Sequence, residues 1–137
     1  MKLIVFILLL FFSLSACSKQ DSHSPVPVER TLADQGMSLI SFSGVWNQGS
    51  VQLQFALSGD LSKITDVKIF SGSNSNQLCL IGELTVNKLQ ASAGFSYTDP
   101  APKGSPTYYM IGIEDNQGHV TYVNNILSVS KPSGLGK

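Results

Sequence analysis

From Met37 onward the apolar residues fall at every second position, and most of the chain keeps to that spacing. Val51, Leu53, Phe55 and Leu57 alternate with Gln52, Gln54 and Ala56. Val67 and Ile69 alternate with Asp66, Lys68 and Phe70, and Tyr109, Ile111 and Ile113 alternate with Tyr108, Met110, Gly112 and Glu114. Successive side chains of a strand point to opposite faces, so each run buries one face and shows the other. Turn-forming clusters separate the runs: Ser58-Gly59-Asp60, Ser71-Gly72-Ser73-Asn74, Asp99-Pro100 to Ser105-Pro106, and Asp115-Asn116-Gln117-Gly118. No long stripe of 3.6-residue period interrupts them. About six to eight short strands between residues 37 and 130 fit an all-β fold, an antiparallel sandwich of two sheets. The stretch from Leu84 to Tyr97 is the vaguest and reads as two short strands around Asn87 to Gly94.

The first residues obey a different logic. A positive start at Lys2, an apolar run from Leu3 to Phe12 and small residues thereafter have the form of an export signal. A membrane-spanning helix needs about 20 apolar residues, and this run gives out at Ser13. The tetrad Leu14-Ser15-Ala16-Cys17 resembles the lipobox of bacterial lipoproteins. That resemblance implies that residues 1–16 are a signal peptide and that the Cys17 thiol becomes a thioether to diacylglycerol. It also implies acylation of the new amino group. Each buried methylene contributes about 0.8 kcal/mol, so two or three chains anchor durably where one does not. Ala16 suits ordinary cleavage as well, which would leave a plain secreted domain.

Residues 17–36 then read as a lipidated cysteine and a flexible tether, because Ser-Pro-Val-Pro-Val-Glu-Arg carries no apolar period that could offset ordering. Glu29 to Gln35, before Gly36, suits one helical turn closed by glycine. Ser18 follows the cysteine. In enterobacterial-type sorting Asp at that place retains a lipoprotein at the inner membrane, so the resemblance implies the outer membrane. The single acid in Ser18-Lys19-Gln20-Asp21 leaves open whether the domain faces periplasm or exterior. Residues 131–137 read as a polar tail.

Lys and Arg together number 9, as do Asp and Glu, for a net charge of +0. With no basic cluster anywhere, the chain offers nucleic acid no electrostatic footprint, and membrane association falls to the lipid on Cys17. Cys79 is the only other cysteine. With Cys17 acylated it has no intramolecular partner, and its setting, Leu78-Cys79-Leu80-Ile81, suggests a thiol serving as a small apolar side chain.

Three segments resemble one family, the fibronectin type III-like modules of bacterial surface and secreted proteins. The first is Tyr97-Thr98-Asp99, Pro102 and Gly104, then Tyr108-Tyr109-Met110-Ile111-Gly112-Ile113-Glu114-Asp115, Gly118 and Tyr122, in the family's order. The second is Leu78-Cys79-Leu80-Ile81-Gly82, with Leu where the family has Phe. The third is Val51-Gln52-Leu53-Gln54-Phe55, with Phe where Trp is usual. The resemblance covers about residues 45–130 and implies a fibronectin type III/immunoglobulin-like sandwich with Tyr109 buried before the last hairpin. It says almost nothing about function, because the matched residues are structural. The final strand is one residue longer than the family's. Under strict alternation Val120 and Tyr122 would face away from Leu127 and Val129, and a bulge at Asn124-Asn125 would bring all four to one face.

Candidate chemistry is sparse. His119 stands beside the Asp115–Gly118 turn and His23 in the tether, too few ligands for zinc. His119, Asp115 and a serine could be drawn as a triad, but no nucleophile-elbow sequence accompanies them. Adjacent Glu114 and Asp115 point to opposite faces of a strand. Asp99, Asp115 and Asn116 are the one combination that could suggest calcium. We therefore expect no enzyme, no metal and no cofactor. Facing supplies a better clue: with Val67, Ile69, Tyr109, Ile111 and Ile113 inside, Phe70, Tyr108 and Met110 lie outside on neighbouring strands. These three form the candidate binding face, unless the tether or the Trp46 strand folds over them. Trp46 itself reads as edge packing. Two function classes follow. One is a lipid-anchored, non-enzymatic module contacting a protein or glycan partner at the outer membrane. The other is a periplasmic envelope-assembly or inhibitor lipoprotein acting through the proline-stiffened loop Asp99–Pro106.

Overall fold

A computed structural model describes residues 31–86 and 93–134. Among these residues lie eight strands: β1 (Met37–Asn47), β2 (Ser50–Gly59), β3 (Ile64–Asn74), β4 (Gln77–Thr85), β5 (Ala93–Asp99), β6 (Thr107–Asp115), β7 (Val120–Tyr122) and β8 (Leu127–Val129). All pairings are antiparallel. The strands form a three-stranded sheet, β1-β2-β5, and a five-stranded sheet, β4-β3-β6-β7, with β8 also pairing with β6. The chain is the all-β, fibronectin type III-like antiparallel sandwich that the alternation and the resemblance imply.

The interior is built by the alternating runs. Val51, Leu53, Phe55 and Leu57 of β2 meet Val67 and Ile69 of β3 and Tyr109, Ile111 and Ile113 of β6, and none of the nine is more than 2% exposed. Burying each such side chain is worth about 1.5–3 kcal/mol. In the three-stranded sheet Phe42, Phe55 and Phe95 stand opposite one another across β1, β2 and β5. Their rings pack edge-on at 6.2 Å and stacked at 5.1 Å, both favourable geometries. Trp46 packs half-buried against the core in β1. Its strand belongs to the opposite sheet and does not cover the candidate face.

The corner between β5 and β6 is fastened from inside. Tyr109 donates its hydroxyl to Asp99 Oδ2 at 2.8 Å, and Ala101 N donates to Asp99 Oδ1 at 3.0 Å. Burial, and then the neighbouring Asp99, hold the Tyr109 phenol well above the ordinary tyrosine range. The Thr107 hydroxyl donates to Gly104 O at 2.6 Å and Lys131 N to Ser105 Oγ at 2.9 Å. This bonding suits a lid on the end of the sandwich. On the β4 side, Tyr97 donates its hydroxyl to Ile81 O at 2.8 Å, and its ring occupies the space that a β-carbon on Gly82 would need. A glycine is required there.

Before β1, Ala33–Gln35 form a 3-10 turn that Gly36 closes at φ 70, the glycine-ended turn expected at the end of the tether. It is attached to the domain: Leu32 packs on the core, and Gln35 Nε2 donates to Thr121 Oγ1 at 2.6 Å. Residues 17–30, and residues 87–92 of the stretch read as vague, lie outside the described residues.

Two readings need correction. Val120 and Tyr122 do not join Leu127 and Val129 on the inner face. Thr121, Val123 and Val129 are buried, and Tyr122 is 57% exposed. The pairs Gly112↔Tyr122 and Tyr109↔Leu127 leave Met110 and Ile111 facing Val123 to Ile126, an excess of two residues. A two-residue excursion preserves the strand's phase, whereas a single-residue bulge would have reversed it. The second correction concerns Cys79, which is disulfide-bonded and not a simple apolar thiol. The chain's other cysteine, Cys17, lies outside the described residues.

Candidate binding face

The outer face of the five-stranded sheet is organised in cross-strand rows. Lys68 stands between Glu83 on β4 and Gly112 on β6; one row further along, Phe70 stands between Leu80 and Met110. Gly112 in turn faces Tyr122 on β7. Because position 112 has no side chain, the Phe70 and Tyr122 rings lean together above it, with centroids 5.5 Å apart and a 58° tilt. A β-carbon at Gly112 would meet Phe70 Cε2 at 3.2 Å and Val120 Cγ1 at 2.9 Å. The glycine is thus the seat of the aromatic pair.

Phe70, Tyr108 and Met110 all lie on this face, each half-buried. Phe70 and Met110 are direct cross-strand partners, and Tyr108 lies one row on, opposite Gly72. The more exposed members are ones that sequence reasoning missed or misplaced: Tyr122 and, at 48% exposure, Leu80. The outward facing of Leu80 was not legible, because the bulge between the Ile69–Gly82 and Phe70–Leu80 pairs is visible only in the register. A shallow recess of about 340 Å³ opens here, lined by Phe70, Ser75, Asn76, Leu78, Met110 and Tyr122.

Beside the apolar rows lies a charged band. Lys68 Nζ contacts Glu83 Oε1 at 2.5 Å and Glu114 Oε2 at 2.6 Å, and Asp66 pairs in register with Glu114. Hydrogen bonds from the ammonium to Glu114 and then Glu83 hold Lys68 well above the ordinary lysine value. It stays charged and pinned flat across the sheet.

The remaining candidates are not brought together. Asp115 Oδ2 and His119 Nδ1 are 3.3 Å apart on an exposed turn. The other Asp115 oxygen accepts from Gln117 N at 2.8 Å and His119 N at 2.9 Å, so the carboxylate shapes the turn. Asp99 is tied to Tyr109, six positions before Asp115 on β6. At about 3.3 Å per residue the two acids stand about 20 Å apart and cannot share an ion. Among the described residues no three His, Cys, Asp or Glu side chains gather as a metal site requires.

No family model matches the sequence, and no curated protein matches it. Solved structures do resemble the fold. A DUF3823 family protein from Bacteroides ovatus superposes with a TM-score of 0.52 at 14% identity, over 69% of this chain and 55% of that one. A proposed carbohydrate-binding protein from Bacteroides uniformis gives 0.46 at 14% identity, over 70% of this chain and 57% of the other. The pectate lyase PelI from Erwinia chrysanthemi gives 0.46 at 16% identity, over 67% of this chain and 27% of the enzyme. The chain spans little more than half the length of the DUF3823 protein, and at these identities the likeness is one of fold alone.

Proposed function

We propose that this chain is a lipid-anchored, non-enzymatic binding module of the cell envelope. It is held at the outer membrane through Cys17, with Phe70, Tyr108, Met110 and Tyr122 contacting a protein or glycan partner. The observation that carries this reading is the aromatic pair Phe70–Tyr122, seated over Gly112 with more than half of Tyr122 left exposed. Aromatic residues and Met are enriched in the cores of interfaces. The lipobox supports the anchor. The non-enzymatic reading is supported by where the polar groups are spent: Asp99 on Tyr109, Asp115 on its turn, Lys68 on two carboxylates.

The test is photo-crosslinking in intact cells from a reactive residue at position 122 or 110, against position 54 on the outside of the opposite sheet. Adducts are expected from 122 and 110 only. Tyr108→Ala and Tyr122→Ala should each weaken partner capture by about tenfold or more, as loss of a central aromatic anchor does, and His119→Ala should leave it unchanged. Equal crosslinking from position 54, or turnover in a hydrolase screen that His119→Ala abolishes, would overturn the proposal.

A further inference from the structure

Resting on that reading of the face, we infer that its partner is a polypeptide that sets an apolar side chain beside a lysine or arginine. The outer face is not uniformly apolar. Rows on one face of a strand are about 7 Å apart, so Glu83 and Lys68 form the row next to Leu80–Phe70–Met110, and Glu114, one row beyond, reaches back to Lys68. With Asp66 the band holds three carboxylates and one ammonium. Lys68 takes one oxygen of Glu83 and one of Glu114, and a carboxylate has about four lone-pair sites. The Lys68 side chain is only 17% exposed and Glu83 is 48% exposed, so an approaching group meets carboxylate first. Guanidinium, with its planar fork of donors, is the chemistry such an edge receives best. A neutral sugar would stack on Tyr122 and hydrogen-bond the carboxylates but form no ion pair with the band. An acidic partner would be repelled by it.

The full chain, purified as the cell produces it, is titrated into fluorescein-labelled synthetic peptides, with maltohexaose as the glycan probe. One peptide carries Leu-Trp-Leu flanked by Arg, the other the same core flanked by Glu. The Arg-flanked peptide is expected to bind about tenfold more tightly at low salt and to lose that advantage as salt screens the band. The pair Glu83→Gln and Glu114→Gln should erase the preference. Asp66→Asn, which leaves the Lys68 contacts in place, should reduce it. Tyr122→Ala should weaken both peptides alike. Equal binding of the two peptides, a preference for the Glu-flanked one, or binding of neither overturns the inference. If maltohexaose then binds and Tyr122→Ala abolishes it, the face stands with a glycan as its partner. If Tyr122→Ala affects no probe, the face falls too.

Discussion

Ile111 is fully buried between Ile69 on β3 and the opposing sheet, whereas Gln52, one position from buried Val51, is exposed. Ile111→Ala should therefore cost about 2–5 kcal/mol, lost methylenes plus cavity, and Gln52→Ala no more than about 0.5. Equal losses in urea melts would show the facing to be wrong. A second expectation concerns acid. Asp34, Asp60 and Asp115 are held below the usual 3.8, chiefly by the Thr31 backbone N–H, the Ser62 side chain and the His119 backbone N–H respectively. A carboxyl whose folded value is depressed adds stability that is complete above the unfolded value and is lost as pH falls through the folded one. The melting temperature should hold from neutrality to about pH 5 and decline below about pH 4. Converting the three acids to Asn should shallow that decline, and an unchanged slope would count against these turns. Inward residues such as Ile111 were legible because a period of two assigns them without reference to any partner. Tyr122 was misplaced because a single-residue bulge was expected at Asn124-Asn125, whereas the alternation that the two-residue excursion preserves turns it outward, and its seat is a glycine on another strand.

At the scale of elements, the β7–β8 edge is the most informative. Its excess of two residues over β6 keeps Val123, Leu127 and Val129 facing inward. Deleting Asn125 alone would flip Leu127 and Val129 to solvent, losing about 1.5–3 kcal/mol for Val129 and less for half-buried Leu127. Deleting both Asn124 and Asn125 keeps the phase and should be the milder change, although it removes more chain. The reverse order of melting temperatures would contradict the register. Turn clusters made most element boundaries legible: Asp60 caps the turn before β3, and Asn74 Oδ1 accepts Asn76 N in the β3–β4 hairpin. The sequence could not reveal bulge sizes. A bulge is defined by the strand opposite it, and one sequence lists residues without their partners.

For the whole molecule, the sandwich places its closed corner, its turn acids and its aromatic face at separate places, and the face sets apolar side chains beside a charged band. The fold was legible in alternation and turn chemistry. The proposed contact face was legible in part, as Phe70, Tyr108 and Met110, while its most exposed member, Tyr122, was turned inward by the single-residue bulge expected beside it. What such a face can meet depends on where the domain is held, and that depends on the fate of one sulfur. Cys17 can carry a thioether to lipid or share a disulfide, but not both, so a lipidated Cys17 requires that the Cys79 disulfide be made to a cysteine of another chain. Mass spectrometry of the cell-purified protein, digested without reduction, tests this most directly. The expected product is an N-terminal peptide beginning at Cys17 with diacylglycerol on its sulfur and an acyl chain on its amino group. A lipid-free Cys17 peptide joined by disulfide to the Cys79 peptide would contradict it.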